Sequence, residues 1–222
     1  MRLKALFAIL LAVAMPAAAA AQEAEHPAVT KGREAFNAGD PAGARAAFGE
    51  ACDAGSVDGC YRVAVFMSEG AGGPVDQVQA RAKLRRACTE LPQFLPAACE
   101  MLGQYLDKGR GGPADPVGAR AAFGEACGSS HALGCFNYGA LQFNGVGGPK
   151  DKAGAFLAFT LACDLEYFDA CVIGGQMLEN GDLGKPDYGT AELMYRRGCD
   201  KQHQPSCHRV GELYANGLAE VD

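Results

Sequence analysis

Ten cysteines recur along this chain at a regular spacing, and that spacing constrains the fold more than any other feature of the sequence. They fall into five sequence pairs: Cys52/Cys60, Cys88/Cys99, Cys127/Cys135, Cys163/Cys171 and Cys199/Cys207. The first members of successive pairs are 36 residues apart, except for one step of 39 residues where the second pair is itself three residues wider. A fixed period of this length is typical of stacked helical repeats, in which no unit can bury its apolar face alone.

The residues around the cysteines predict two helices per repeat. Each unit opens with an alanine, places a bulky residue four positions later and a small residue three positions after that, directly before the first cysteine. These offsets share one face of an α-helix, so they predict an amphipathic first helix. The second cysteine opens a second helix. Glycine-rich turns such as residues 70–76 follow, in which Gly and Pro end one helix and Asp can cap the next. The bulky residues are Phe48, Leu84, Phe123, Phe159 and Tyr195.

This register divides the chain into repeats at residues 44–79, 80–118, 119–154, 155–190 and 191–222. Residues 22–43 precede them as a linker and a capping helix, which we predict for residues 29–38. Residues 1–21 combine a basic start, an apolar run and an Ala-Ala-Ala cleavage site, as in a secretory signal peptide. The apolar run is too short for a membrane anchor, which needs roughly 20 residues.

These features predict a protein that is secreted or periplasmic after cleavage near Ala21, with no membrane span in the mature chain. The net charge is −6, and loss of Arg2 and Lys4 makes it about −8. An acidic balance argues against nucleic acid or an anionic membrane surface as a partner. In an oxidising compartment, an even number of regularly spaced cysteines predicts disulfides.

The alanine and aromatic pattern, the cysteine pair and the Gly-x-Gly-Gly-Pro-x-Asp turns together resemble the Sel1-like repeat. With a cysteine pair in every unit, residues 44–217 are most similar to the Helicobacter cysteine-rich protein family; only the fourth turn, residues 181–187, shifts its proline. The resemblance implies an all-α fold, an α/α solenoid of five Sel1-like, TPR-related helix-turn-helix repeats with a disulfide inside each repeat. Physical reasoning agrees, because the first cysteine ends one helix and the second begins its antiparallel partner.

Two other uses of the cysteines stay open at this point. Cys199, His203, Cys207 and His208 lie within ten residues and could ligate zinc, and Cys127, His131 and Cys135 form a partial copy. A redox or haem-binding role would need a reactive pair, usually as closely spaced as Cys-x-x-Cys. The cysteines fit the disulfide register, so we predict disulfides, no metal site and no cofactor.

The resemblance also implies a second function, because members of the family carry a β-lactamase or penicillin-binding label. A serine β-lactamase needs a Ser-x-x-Lys motif. None of the five serines, at positions 56, 68, 129, 130 and 206, has lysine three residues later. The sequence therefore assigns no catalytic residue, and it favours a non-catalytic scaffold for protein–protein interaction in the cell envelope over a weak β-lactam hydrolase.

Two groups of first-helix residues predict where a partner binds. Arg45, Arg81 and Arg120 follow the opening alanine in three successive units, and Arg85 lies one turn from Arg81. They could bind the carboxylates of an exported or envelope protein, an anionic peptide or a glycan, or they could pair with neighbours such as Glu50 and Glu125. The fourth unit is unusually apolar, which predicts either a tighter core or an exposed interface patch. Its candidates are Phe156, Leu157 and Leu161.

Overall fold

The computed structural model describes residues 25–218, so the predicted signal peptide lies outside the described residues. Between these limits the chain forms eleven α-helices and one π-helical turn, and no strand. No helix in this part is both long and apolar enough to cross a bilayer. The α-helices are α1 Pro27–Asn37, α2 Pro41–Asp53, α3 Val57–Glu69, α4 Gln77–Arg85, α5 Pro96–Lys108, α6 Pro116–Gly128, α7 Ala132–Asn144, α8 Lys152–Asp164, α9 Phe168–Glu179, α10 Tyr188–Cys199 and α11 Gln204–Ala215.

The helices after α1 form five antiparallel pairs that stack into the predicted all-α solenoid. The pairs are α2/α3, α4/α5, α6/α7, α8/α9 and α10/α11, and each second helix packs against the first helix of the next repeat. α1 packs on α2 in the same way, so it occupies the place of a second helix before the first repeat. It agrees with the capping helix predicted for residues 29–38.

An aspartate begins the first helix of every repeat. The side chain of each one accepts a hydrogen bond from the backbone N–H three residues later, which satisfies a donor that the helix itself leaves open. These N-cap residues are Asp40, Asp76, Asp115, Asp151 and Asp187. The last three turns of this kind, and the first two, therefore share one solution for starting a helix after a glycine-rich turn.

The structure confirms a disulfide within every repeat. Each bridge joins the end of a first helix to the start of its partner, with S–S distances from 1.97 to 2.21 Å and Cα–Cα distances from 4.3 to 4.9 Å. Closing a loop of this length stabilises a protein by about 2.5 kcal/mol on the loop-entropy model. The second cysteines of the first four repeats are fully buried.

The second repeat accommodates its three extra residues at the turn between its helices. The first helix continues into a π-helical turn, Arg86–Glu90, which contains Cys88. An extended loop, residues 91–95, then leads into α5. Cys88 and Cys99 remain 4.7 Å apart at their Cα atoms, so the insertion changes the loop without changing the helix crossing.

The repeats join through a socket in which a bulky residue of one first helix covers a small residue of the preceding second helix. A Cβ atom built on Gly103 would lie 2.6 Å from the ring of Phe123, and one on Gly139 would lie 3.1 Å from Phe159. Gly32 and Phe48 form the same pair, as do Gly175 and Tyr195. Only glycine therefore lets these rings approach. The remaining junction has Ala64 and the smaller Leu84 at the same positions, both fully buried.

We predict that the socket couples the size of its two residues. Gly103→Ala should lower the free energy of unfolding by about 1 kcal/mol, because overpacking costs about 1–3 kcal/mol and outweighs the roughly 1 kcal/mol gained in helix propensity. Adding Phe123→Leu recreates the Ala64/Leu84 pairing and should recover most of that loss. Urea denaturation of the single and double variants measures the coupling.

Gly211→Ala is the matched control, because nothing lies within 4 Å of a Cβ at Gly211. It should stabilise the protein by about 0.5–1 kcal/mol through helix propensity alone. If the Gly103→Ala and Phe123→Leu effects simply add, the socket does not select residue size.

Candidate partner-binding surface

Three of the predicted arginines hold the glycine-rich turn of their own repeat. Each donates a hydrogen bond from Nη1 to a proline carbonyl oxygen about 30 residues later: Arg45 to Pro74 at 2.9 Å, Arg81 to Pro113 at 2.8 Å and Arg120 to Pro149 at 2.9 Å. All three side chains are partly buried. The guanidinium groups thus bind backbone rather than the carboxylates of Glu50 and Glu125. Glu50 instead lies 3.6 Å from Lys31.

Two glycines in each turn make this contact possible. A Cβ atom on Gly112 would lie 2.9 Å from Nη1 of Arg81, and Gly73 and Gly148 lie equally close to their arginines. The preceding glycine has a left-handed backbone, with φ of 71° at Gly111, and its Cα approaches the Gln77 carbonyl at the start of the same first helix. A side chain at either position would separate the turn from the helix.

The fourth repeat lacks both halves of this arrangement. Phe156 takes the position of the arginine, and Leu183 takes the position of the left-handed glycine. A salt bridge of 2.6 Å between Lys152 and Asp182 connects the turn to the first helix instead. Sequence analysis noted the shifted proline in this turn, and the structure connects that shift to the loss of the arginine.

Arg85 differs from the other three arginines because it is exposed and forms no ion pair within residues 25–218. It lines a groove of about 260 Å³ with Val78, Arg81 and Ala82 and with the turn of its repeat. The third repeat has a groove of about 430 Å³ at the equivalent place, between Arg120, Gly124 and the turn. The same geometry therefore recurs along the first helices.

The apolar candidates of the fourth repeat divide between the core and the surface. Phe156 is partly buried and packs against the second core cluster. Leu157 is 68% exposed and Leu161 is 38% exposed, and Leu193, at the position of Leu157 in the fifth repeat, is 64% exposed. Alanines occupy that position in the first three repeats. Both interpretations of the apolar stretch thus hold for different residues.

The exposed first-helix residues define one continuous feature, which we call the first-helix surface: Arg85, Ala82, Ala121, Leu157, Leu161 and Leu193. Its first half combines small side chains with the unpaired charge of Arg85, and its second half is apolar. Such a surface can bind an extended segment that carries carboxylates toward one end and apolar side chains toward the other.

The zinc hypothesis does not fit the last repeat. Cys199 and Cys207 are joined by a disulfide of 2.03 Å, so neither sulfur is available as a thiolate ligand. His208 lies 3.3 Å from Glu212 on the same helix. In the third repeat, His131 caps α7 by accepting a hydrogen bond from the Gly134 N–H. Among residues 25–218 no group of three or more potential ligands converges.

A serine, a histidine and an aspartate come together at the start of α11, which sequence analysis missed. His203 Nδ1 lies 2.8 Å from Ser206 Oγ, and its Nε2 lies 3.3 Å from Asp169. These residue types form a hydrolytic triad in many enzymes. Here Ser206 is fully buried, and its hydroxyl occupies the space beside Gly198, so no substrate carbonyl can reach it. His203 is the N-cap residue of α11, and the arrangement is structural.

Sequence analysis also missed a buried carboxylate between the second and third repeats. Glu100 is only 7% exposed, and its Oε1 accepts hydrogen bonds from Gln104 at 2.6 Å and Asn137 at 3.2 Å. Burial raises the pKa of Glu100, although these hydrogen bonds and nearby His131 lower it in part. The equivalent position directly after the second cysteine is Tyr61, Phe136, Val172 or His208 in the other repeats, and that contrast was the available signal.

The comparisons with known proteins agree with this geometry. The model of the Sel1 repeat matches residues 57–90, 96–121, 132–167, 170–203 and 204–222. This chain belongs to the Sel1 repeat family. The matched units begin at the second helix of each pair described above, so the family's unit is offset by one helix from the units that begin at the alanines. No curated protein matches the sequence.

Solved structures show the same fold in other Sel1 proteins. A protective antigen of uropathogenic Escherichia coli with an SLR fold is 20% identical over 86% of this chain, with a TM-score of 0.78, and this chain spans 41% of its length. A Sel1 repeat protein of Oxalobacter formigenes is also 20% identical, over 86% of this chain and 75% of its own, with a TM-score of 0.74. Cysteine-rich protein B of Helicobacter pylori is 25% identical over 64% of this chain and 93% of its own, with a TM-score of 0.45.

We predict different effects for two arginines one helical turn apart. Arg81→Met removes the hydrogen bond to Pro113 and should lower the free energy of unfolding by about 1 kcal/mol. Arg85→Met should change it by less than about 0.5 kcal/mol, because its side chain is exposed and unpaired. Urea denaturation of both variants tests this difference. Equal effects would show that the contact to the turn contributes no stability.

The buried carboxylate predicts a pH-dependent gain in stability for Glu100→Gln. Because the pKa of Glu100 is raised in the folded protein, the wild type loses stability as pH rises from the unfolded pKa through the folded pKa. The variant cannot ionise there and still offers an oxygen to Gln104 and Asn137. Its unfolding midpoint should therefore exceed that of the wild type at pH 7, and the two should converge near pH 3.

Glu90→Gln, a change of the same charge at an exposed site in the same repeat, is the control. It should show no comparable difference between the two pH values. A Glu100→Gln variant that is less stable than the wild type at pH 7 would mean that the carboxylate is stabilising as an ion.

Proposed function

We propose that this protein is an exported, disulfide-stabilised Sel1 scaffold that binds another protein of the cell envelope and performs no catalysis itself. The observation that carries the proposal is the first-helix surface, where an unpaired arginine and three exposed leucines face solvent on a rigid stack of helices. Exposed apolar groups arranged together in this way are typical of interaction sites, and repeat stacks offer extended surfaces of this kind to partners.

Export is supported by two independent features. The five disulfides lie within the fold, and such bonds form and persist in oxidising compartments. The sequence of residues 1–21 has the arrangement of a signal peptide. In this proposal the mature chain begins at Gln22, which intact mass measurement of the periplasmic protein would establish directly.

The partner class follows from the two halves of the surface. Arg85 and the exposed edges of the neighbouring guanidinium groups favour carboxylates, while Leu157, Leu161 and Leu193 favour apolar side chains. An acidic segment that continues into an apolar one fits both. The carboxylates could belong to a protein or to an anionic glycan, but only a protein segment supplies the apolar part.

The test is crosslinking and capture from the periplasm, followed by direct binding of the captured, purified protein. Arg85→Glu and Leu157→Asp are the informative variants, because both side chains are exposed and neither holds the fold. Each should weaken binding at least about tenfold, or about 1.4 kcal/mol. Circular dichroism should remain that of the wild type. Arg81→Glu is a poorer choice, because it would also release the turn at Pro113.

Lys185→Glu and Phe94→Asp are the matched controls, since both side chains are exposed and lie off the first-helix surface. They should leave binding unchanged. If Arg85→Glu and Leu157→Asp bind like the wild type, the first-helix surface is not the site. If the wild type captures no specific protein, the scaffold proposal itself fails.

A further inference from the structure

The last helix of the solenoid carries an unfilled copy of the socket that joins the repeats. Gly211 on α11 occupies the position of Gly103, Gly139 and Gly175 on the earlier second helices. At those three positions, a bulky side chain from the next repeat lies against the glycine. At Gly211 there is nothing within 4 Å of a Cβ atom, and the residue is exposed. Within residues 25–218 no helix follows α11.

The exposure of the last disulfide shows independently that this end lacks a layer. Cys60, Cys99, Cys135 and Cys171 are fully buried, and the first cysteines that they bond are at most 8% exposed. Cys199 and Cys207 are instead both partly exposed. Val210, which lies beside Gly211, is also partly exposed, whereas Val63 at its position in the first repeat is 1% exposed. In every earlier repeat the following first helix covers this face.

The Sel1 matches describe the same gap in the family's own register. A complete matched unit contains a second helix and the first helix of the next repeat, as residues 132–167 contain α7 and α8. The last match, residues 204–222, contains α11 as its one described helix. The face that α7 presents to α8 therefore has no covering helix at α11.

We propose that the face formed by Cys207, Val210 and Gly211, which we call the terminal socket, binds an amphipathic helix of another protein. The interfaces inside this chain specify that helix. It carries an alanine or glycine followed four residues later by Phe, Tyr or Leu, as Ala119 is followed by Phe123, and the bulky side chain lies over Gly211. This is a groove for a helix read through its buried anchors.

A second copy of this chain does not fit the terminal socket. Its described N-terminal helix, α1, is of the second-helix type, because Gly32 lies beneath Phe48. The bulky residues of its first helices are all buried within its own stack, from Phe48 at 2% to Tyr195 at 0% exposed. The occupant is therefore a helix from a different protein, and it approaches an end of the solenoid that the first-helix surface does not include.

The first experiment uses a helix of known fit as the probe. A hydrocarbon-stapled, fluorescent peptide with the sequence of residues 115–128 and Cys127→Ala presents Phe123 on a preformed first helix. A matched peptide carries Phe123→Ala in addition. Titration of the full mature protein into each, followed by fluorescence anisotropy, should show at least about tenfold tighter binding of the Phe123 peptide.

Variants of the protein locate the binding. Gly211→Leu fills the socket at a position with open space, and it should abolish binding without changing the circular dichroism spectrum. Gly128→Leu adds the same side chain to another open helical glycine and should leave binding unchanged. Arg85→Glu should also have no effect, which separates this proposal from the one for the first-helix surface. Equal affinity for the two peptides, binding retained by Gly211→Leu, or no binding at about 1 mM protein would overturn it.

Discussion

The contact between a glycine and an aromatic ring at each junction determines most of the architecture. Because Gly103, Gly139 and Gly175 have no side chain, the ring of the following first helix lies directly on the backbone of the preceding second helix. That close approach buries the disulfide of each repeat beneath the next one. It also fixes the rotation of every first helix, so that the same positions face solvent in successive repeats. The first-helix surface is a consequence of this packing as much as of its own residues.

Compensating pairs preserve the packing where single positions change. The second repeat replaces the glycine and ring by Ala64 and Leu84. Within a repeat, Gly59 and Gly134 each lie against an alanine of the first helix, and in the fifth repeat the order reverses, with Gly198 on the first helix and Ser206 on the second. In the fourth turn, the arginine and the left-handed glycine disappear together. Each contact therefore tolerates variation only when both of its members vary.

The sequence predicted the repeats, the two helices of each, their aspartate caps and the disulfides, because each of these features depends on residues that are close together in the chain or recur at the same offset. It did not predict that Arg81 binds the carbonyl of Pro113, since periodicity places a side chain on a face but does not identify its partner 32 residues later. Glu100 escaped for a similar reason, because its partner Asn137 belongs to the next repeat. The cap at Ser206 depends on a tertiary contact with Asp169 from the preceding repeat.

The uneven cover of the five bridges gives the molecule a direction in redox chemistry. Thiol–disulfide exchange requires a thiolate to reach a sulfur atom, so exposed bridges are the labile ones. A reductant would meet Cys199–Cys207 before the four bridges that lie beneath a following helix. Opening that bridge would free α11 first and leave the other repeats oxidised. The order in which the stack loses its covalent links is thus set by which repeat has nothing packed upon it.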